Sequence, residues 1–275
     1  MNAPAPNVKA SFPVRRMDFE FDDIPRYWFH NDPFLSHLLN GLSALFPDGE
    51  RFFVDSIRAV RDQIDDPQLQ KEISAFIGQE AMHSKEHAAF NRYADLHQID
   101  IATLEQRVGK LLDFAKRRLP KMHQLAITCA LEHFTATIAG QLLRRKDWNE
   151  RLTDPTMRKM WLWHAIEENE HKAVAFDAYQ RLGGGYMLRA FYMAVATVGL
   201  LIMTAHNIAR LLQADGKLVD FRWGKWLWWL FGPRGFFSEL VFQYVDYFRP
   251  GFHPNDHDTR ALEEAWKERL SFASA

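Results

Sequence analysis

The chain has 275 residues, enough for one large domain or two small ones. It carries 34 Lys and Arg against 35 Asp and Glu, a balance that argues against a nucleic-acid-binding protein, which would show a basic excess. One cysteine, Cys129, excludes an internal disulfide framework and a cysteine-rich zinc site. Residues 1–30 hold prolines and charges but no apolar signal-peptide core, so we expect an N-terminal extension of a cytoplasmic protein.

Helices are predicted in almost every long segment, and no strand-like alternation is visible. Three Asp-Pro pairs mark helix starts, because Asp is a favoured N-cap and Pro is favoured at the first helical position. They are Asp32-Pro33, Asp66-Pro67 and Asp154-Pro155. The helix after Pro67 should run for roughly thirty residues, and the one after Pro155 should end at the glycine run 183–185, which suits a C-cap.

Three further helices complete the first two-thirds of the chain. One begins near Asp48 and carries an apolar stripe that includes Phe53 and Ile57. The others cover "IATLEQRVGKLLDFAKRRL", which stops before Pro120, and "KMHQLAITCALEHFTATIAGQLLRR". The sequence therefore predicts an all-α fold.

A partial internal repeat selects particular acidic residues on these helices. Glu80 and Glu168 each lie thirteen residues after the proline of an Asp-Pro start, and each is followed three residues later by a histidine, His83 or His171. The helix before each of these carries one candidate inward glutamate, Glu50 and Glu132 respectively. The chain thus repeats a Glu helix followed by a Glu-x-x-His helix.

This spacing points to metal binding. Residues three apart share one helix face, so each Glu-x-x-His pair can aim both side chains into a bundle interior. Two such pairs plus two further glutamates are the ligand set of a dinuclear iron or manganese site, whose four positive charges would offset four buried carboxylates. Oxygen and imidazole donors favour iron or manganese, although donor softness alone does not exclude zinc. The alternative is a solvated, highly charged helix face.

The motif helices resemble the ferritin-like di-iron superfamily. The spacing His164-x-x-x-Glu168-x-x-His171 is similar to that of the di-iron arylamine N-oxygenases, which add a third histidine from the last helix. This resemblance implies a four-helix bundle, two bound iron ions, with manganese as an alternative for one or both, and dioxygen as a substrate. The metal ligands it implies are Glu50, Glu80, His83, Glu132, His164, Glu168 and His171.

Across nearly its whole length the chain resembles a bacterial family labelled predicted metal-dependent hydrolases. The segments that carry this resemblance are "FPDGERFFV", "QEAMHSKEH", "EENEHKAVAFD" and "YFRPGFHPNDHD". The family label implies hydrolysis, whereas the ligand pattern suits oxygen chemistry.

Several neighbouring polar residues have more than one interpretation. His87 shares a face with Glu80 and is either an additional ligand or a group that orients one. We expect Glu86 and Glu170 to be solvated or ion-paired. We expect Glu167 at the surface, with a hydrogen bond that orients a ligating histidine as the alternative. His133, directly after Glu132, points away from the site.

The last third of the chain is unusually apolar. Residues 190–205 are uncharged, a run shorter than the roughly 20 residues of a spanning helix. The stretch "FRWGKWLWWLFGPRGFF" then mixes tryptophans with basic residues, a composition that suits a membrane interface. A homodimer interface and a hydrophobic lid packed on the bundle are the alternatives.

Together these patterns predict three parts: the extension 1–30, a ferritin-like dinuclear metal-binding bundle 31–184, and a hydrophobic helical extension 185–275 packed on it. The predicted function is a dinuclear non-haem iron oxygenase or oxidase acting on a small-molecule or lipid-like substrate, with an electron donor that the sequence does not identify. The alternatives are a dinuclear metal-dependent hydrolase and a ferroxidase without an organic substrate. We expect a cytoplasmic protein, with peripheral contact to the inner face of the membrane.

Overall fold

The computed structural model describes residues 10–96 and 99–272, and these residues form an all-α fold without strands, as the sequence predicts. The α-helices are α1 (Pro33–Ser43), α2 (Phe46–Arg58), α3 (Pro67–Leu96), α4 (Ala102–Arg118), α5 (Lys121–Arg144), α6 (Lys146–Arg151), α7 (Pro155–His171), α8 (Val174–Arg181), α9 (Tyr186–Ala214), α10 (Gly224–Phe231), α11 (Val241–Asp246) and α12 (Arg260–Arg269). Short 3₁₀ turns connect several of them.

Four helices form the centre of the molecule. Helix α2 packs along α3, α5 packs along α7, and the two pairs contact each other through α2 with α5 and α3 with α7. Around this four-helix bundle, α4 covers α2, α9 lies against α1 and α5, and α12 packs on α7. The four central helices are those that the sequence predicts to carry metal ligands.

The Asp-Pro starts act as the sequence predicts. The carboxylate of Asp32 accepts from the backbone N–H groups of Phe34 and Leu35, and that of Asp154 accepts from the N–H of Met157 at 2.9 Å. These bonds satisfy first-turn donors that have no partner within their own helix. Helix α3 has 30 residues, the predicted length.

Two boundaries differ from the prediction. Helix α2 begins at Phe46, two residues before the predicted start at Asp48. The helix predicted to run from Pro155 to the glycines is interrupted at Lys172, and α8 follows as a separate helix. At the break, the buried Lys172 ammonium donates to the carbonyl of His257 and to the hydroxyl of Thr259. Helix α8 packs against both α3 and α5.

The segment before α1 packs closely on the bundle. Phe21, Trp28 and Phe29 are buried in the main core, where Trp28 stacks on Trp161 of α7. Burial of aromatic side chains contributes strongly to stability, so these residues hold the extended N-terminal segment in place.

The tryptophan-rich stretch is mostly packed inward. Trp226 is 6% exposed and its indole N–H donates to Asp32 at 2.7 Å, while Trp229 stacks on Trp148 and donates to Asp147. Trp228 alone of the three is strongly exposed, at 71%. Trp226 and Trp229 therefore tie α10 to the bundle.

Helix α9 contains the apolar run. Of the described helices, α9 is the one long and apolar enough to cross a membrane by length and composition. One of its sides lies along α1 and α5, where Asn207 is buried and donates to the carbonyl of Gly41.

The contrast between two neighbouring tryptophans gives a stability prediction. We expect Trp226→Ala to lower the free energy of unfolding by about 3–5 kcal/mol, because it leaves a cavity and removes the hydrogen bond to Asp32. Trp228→Ala should change it by less than about 0.5 kcal/mol. Urea denaturation of both variants measures the difference, and equal effects would contradict the inward packing of α10.

Candidate metal centre

All seven sequence-predicted ligands meet in the interior of the four-helix bundle. Each is at most 3% exposed. Helix α2 contributes Glu50, α3 contributes Glu80 and His83, and α5 contributes Glu132. Helix α7 contributes His164, Glu168 and His171.

The side chains form two adjoining groups that share Glu80. Glu80, Glu132 and His171 form one group, and Glu50, Glu80 and His83 form the other, with candidate ligand atoms within 4.8 Å of one another in each. In the first group, His171 Nε2 lies 3.0 Å from Glu80 Oε1 and 3.4 Å from Glu132 Oε2. A carboxylate shared in this way is suited to bridging two ions.

Glu168 and His164 close the arrangement from α7. Glu168 Oε1 lies 2.8 Å from His164 Nε2 and 3.5 Å from His83 Nδ1, and its Oε2 lies 3.8 Å from His171 Nε2. Like Glu80, Glu168 thus lies between both groups. His83, His164 and Glu168 also satisfy the geometry of a metal-binding triplet.

The donor set fits metal ions. Both carboxylate oxygens of Glu50, Glu80 and Glu132 are buried without a hydrogen-bond partner among the described residues. The same is true of His83 Nδ1 and His171 Nε2. A buried polar atom without a partner is costly, and buried native groups are nearly always satisfied. Two divalent ions would satisfy these atoms and offset the four negative charges together.

Without metal, the site must hold protons. Burial and the neighbouring Glu80 carboxylate raise the pKa of Glu132 to about 8, and burial raises the pKa of Glu50 well above its ordinary value. Burial acts to lower the pKa of His171, but the nearby carboxylates of Glu132, Glu168 and Glu80 outweigh it and raise this pKa well above its usual range. Metal binding therefore displaces protons from the site.

Three buried residues orient the histidines. Glu167 Oε2 lies 3.0 Å from His83 Nε2, and Gln79 Oε1 lies 2.8 Å from His171 Nδ1. The expectation that Glu167 lies at the surface is wrong, since it is fully buried. A hydrogen bond to the second nitrogen fixes the tautomer and direction of a ligating imidazole.

His87 is the third orienting residue. Its Nε2 lies 2.7 Å from His164 Nδ1, and its Nδ1 lies 2.9 Å from the hydroxyl of Ser43, which donates to Asn91. Burial and the nearby His164 lower the pKa of His87 well below its ordinary value, so the imidazole is neutral. With both nitrogens hydrogen-bonded, His87 is better placed to orient His164 than to act as a ligand.

Two cations balance the outer carboxylates. The Arg15 guanidinium lies 3.0 Å from Glu167 and 2.7 Å from Glu170, and the Lys267 ammonium lies 2.7 Å from Glu170. Glu170 is thus ion-paired, one of its two expected states. Glu86 is also buried and ion-paired, 3.0 Å from Lys85.

Sequence reasoning did not find Arg15, Gln79 or Lys267. Arg15 belongs to a segment without helical periodicity, and it reaches a glutamate 155 residues away. Gln79 lies directly before the predicted ligand Glu80, so its position in the sequence could have drawn attention to it. No spacing rule connects Arg15 or Lys267 to α7.

An apolar cavity of about 320 Å³ ends at the metal centre. Glu50, His164 and Glu168 line one part of it, and almost all its other walls are aliphatic or aromatic. Helices α1, α4, α5 and α9 contribute Leu42, Leu112, Ile127, Phe134, Leu200 and Met203, among others. Its volume lies at the lower end of the range for small-molecule sites.

Comparison with known protein families agrees with this geometry. The model of the family described as "Predicted metal-dependent hydrolase" matches residues 13–258. The chain belongs to this family. No match was found among the curated proteins or among the solved structures.

The family model covers every part of the centre described above except Lys267. As a member of the predicted metal-dependent hydrolase family, the chain is expected to require metal, and its buried Glu and His groups can hold it. The assignment of individual ligands remains a prediction.

The raised pKa of Glu132 gives a pH-dependent prediction for the metal-free protein. Between about pH 4.5 and 8, the unfolded chain releases the Glu132 proton while the folded chain keeps it, so the free energy of unfolding falls as pH rises. Glu132→Gln removes the ionisable carboxyl group, so this contribution to the fall in the free energy of unfolding disappears. In chelator, its stability advantage over wild type should grow from pH 5 to pH 8, measured by urea denaturation.

The half-buried Glu72, on α3 but outside the metal centre, provides the matched control. At pH 8, Glu72→Gln should gain less stability over wild type than Glu132→Gln does. An advantage of Glu132→Gln that stays constant with pH would contradict protonation of Glu132 in the folded protein.

Adjacent arginines test the outer ion pairs. We expect Arg15→Ala to lower the free energy of unfolding by about 3–5 kcal/mol, because it leaves two buried carboxylates with less compensating charge. Arg16→Ala, at an exposed neighbouring position, should cost less than about 0.5 kcal/mol. Denaturation at neutral pH compares them, and similar losses would refute the role of Arg15.

Proposed function

We propose that the protein is a dinuclear metal-dependent hydrolase whose substrate carries an apolar chain. The observation that carries this proposal is the apolar cavity that ends on Glu50, His164 and Glu168. Membership of the predicted metal-dependent hydrolase family favours hydrolysis as the reaction class.

Two metal ions would be held by the two groups that share Glu80. Glu80, Glu132 and His171 would hold one ion, Glu50, Glu80 and His83 the other, with His164 and Glu168 completing the coordination. When bound, the ions would supply Lewis-acid activation of a water molecule and of the substrate's carbonyl group. The carboxylate-rich donor set favours iron or manganese.

The surrounding residues would position substrate and ligands. The apolar walls bind the chain of the substrate and exclude bulk water, which strengthens electrostatic interactions within the site. Glu167, Gln79 and His87 hold the three imidazoles in fixed directions. The polar end of the substrate would lie beside Glu50, His164 and Glu168, since these are the carboxylate and imidazole side chains that line the cavity.

A di-iron oxygenase or oxidase is the second candidate. The four glutamates and the two Glu-x-x-His histidines, His83 and His171, support it, because this donor set from four helices is characteristic of di-iron carboxylate proteins. The same apolar cavity would then hold the substrate that is oxidised.

Metal content and two activity assays test both candidates. We expect about two metal ions per chain by elemental analysis. The proposed function predicts metal-dependent hydrolysis of p-nitrophenyl esters with long acyl chains, without oxygen consumption. Oxygen uptake that requires iron and a reductant, in the absence of ester hydrolysis, would replace it with the oxygenase.

Glu80→Gln should lose most of the metal and the activity, because it removes the anionic ligand shared by the two groups. Glu72→Gln on the same helix should retain both. Full metal content in Glu80→Gln would overturn the site assignment.

Gly199 tests whether the substrate occupies the cavity. It lines the cavity, and a Cβ atom built at this position meets nothing within 4 Å. Gly199→Phe should therefore fill part of the cavity and lower kcat/KM for long acyl esters about tenfold, equivalent to about 1.4 kcal/mol, with unchanged metal content. Short acyl esters should be less affected.

Gly199→Ala is the matched control. It should leave the activity intact and raise the free energy of unfolding by about 0.5–1 kcal/mol, because glycine is unfavourable within a helix. Unchanged long-chain kinetics in Gly199→Phe would place the substrate elsewhere.

A further inference from the structure

An exposed apolar stripe runs along the outer side of α9. Its positions recur every three or four residues, as expected for one face of a helix. They are Phe191, Ala194, Val195, Val198, Leu201, Ile202 and Ala205. Val198, Leu201 and Ile202 are each about 60% exposed, and the stripe contains no charged residue. Its span is about 21 Å at the helical rise per residue.

The opposite side of α9 is fixed to the protein at both ends. Near the start, the buried Arg189 guanidinium donates to the carbonyls of Tyr247 and Arg249. Near the end, Asn207, Leu211 and Leu212 are buried. Because α9 is held by buried residues at both ends, its apolar stripe is part of the surface of the folded protein.

Helix α4 adds a basic, partly apolar border. Leu111 and Phe114 are more than half exposed, and the exposed Lys110, Arg117 and Arg118 surround them. None of these three cations forms an ion pair with a residue that the structure describes. Exposed aromatic and aliphatic side chains beside basic groups are typical of surfaces that bind anionic lipid.

The cavity reaches this surface between the two helices. Leu111 of α4 and Val195 of α9 both line the cavity and are about half exposed. A contact between Arg107 and His206 joins the same two helices further along. The apolar stripe, the basic border and the outer end of the cavity therefore lie together.

We propose that the α9 stripe and the exposed residues of α4 dock on an anionic lipid bilayer, so that the cavity opens toward the acyl chains. The basic border complements anionic headgroups, whereas it would face its own positive charge in a symmetric contact between two copies. The entry of a bilayer lipid chain into the cavity rests on the proposed function. The docking itself does not.

Vesicle co-sedimentation of the full-length, metal-loaded protein tests the docking. Wild type should bind vesicles of phosphatidylcholine with phosphatidylglycerol, and bind vesicles of phosphatidylcholine alone about tenfold more weakly. Val198→Ser with Leu201→Ser should lower binding to the anionic vesicles at least tenfold. Both positions are exposed, so metal content and thermal stability should match wild type.

Two controls locate the surface. Val219→Ser with Trp228→Ser removes two other strongly exposed apolar side chains and should bind as wild type does. Lys110→Glu with Arg117→Glu should remove the preference for anionic vesicles. Equal losses in the control and stripe variants would overturn the assignment to α9, as would wild type that binds neither vesicle.

Light scattering tests whether a second copy of the chain covers the α9 stripe. A wild-type dimer that becomes monomeric in the Val198→Ser, Leu201→Ser variant, together with no vesicle binding, would show that a second copy covers the stripe. Activity on short, soluble esters separates the two proposals: if it persists without vesicle binding, the proposed hydrolysis stands and the docking fails. Vesicle binding without ester hydrolysis would support the docking and refute the proposed hydrolysis.

Discussion

Mutual repulsion among four buried carboxylates is the constraint on which the rest of this structure depends. Glu50, Glu80, Glu132 and Glu168 share one interior, and several of their oxygens have no hydrogen-bond donor among the described residues. Such a site is stable only with protons or metal ions inside it. The surrounding arrangement of Gln79, His87, Glu167, Arg15 and Lys267 is consistent with this need, because it directs the histidines inward and balances the outer charges.

Adjacent to this charged interior lies an almost entirely apolar cavity. Apolar walls disfavour water, and they surround the part of the cavity that Glu50, His164 and Glu168 line. Gly49 and Gly199 both line the cavity, and each leaves open space where a side chain would stand. The cavity thus depends partly on two positions where the sequence has no side chain at all.

The helical class, the Asp-Pro starts and six of the seven residues that meet in the interior could be predicted from local periodicity and spacing, whereas His164 came from the resemblance to the di-iron N-oxygenases. Residues three apart on a helix must share a face, whatever surrounds them. The sequence did not predict the burial of Glu167, because only its partners His83 and Arg15, distant in sequence, decide that position. Nor did it predict that Trp226 and Trp229 face inward, since composition alone does not distinguish a membrane-facing tryptophan from a packed one.

The ion pairs of Glu170 join the two ends of the described chain. Arg15 lies 155 residues before it, and Lys267 belongs to α12, the last of the described helices. Contacts so distant in sequence form late, because a long loop must close before they are made. During synthesis, the four helices that carry the predicted ligands leave the ribosome before Lys267 does. The buried ion pair between Lys267 and Glu170 therefore cannot form on a nascent chain that stops short of α12, and until then Arg15 is the cation that pairs with Glu170.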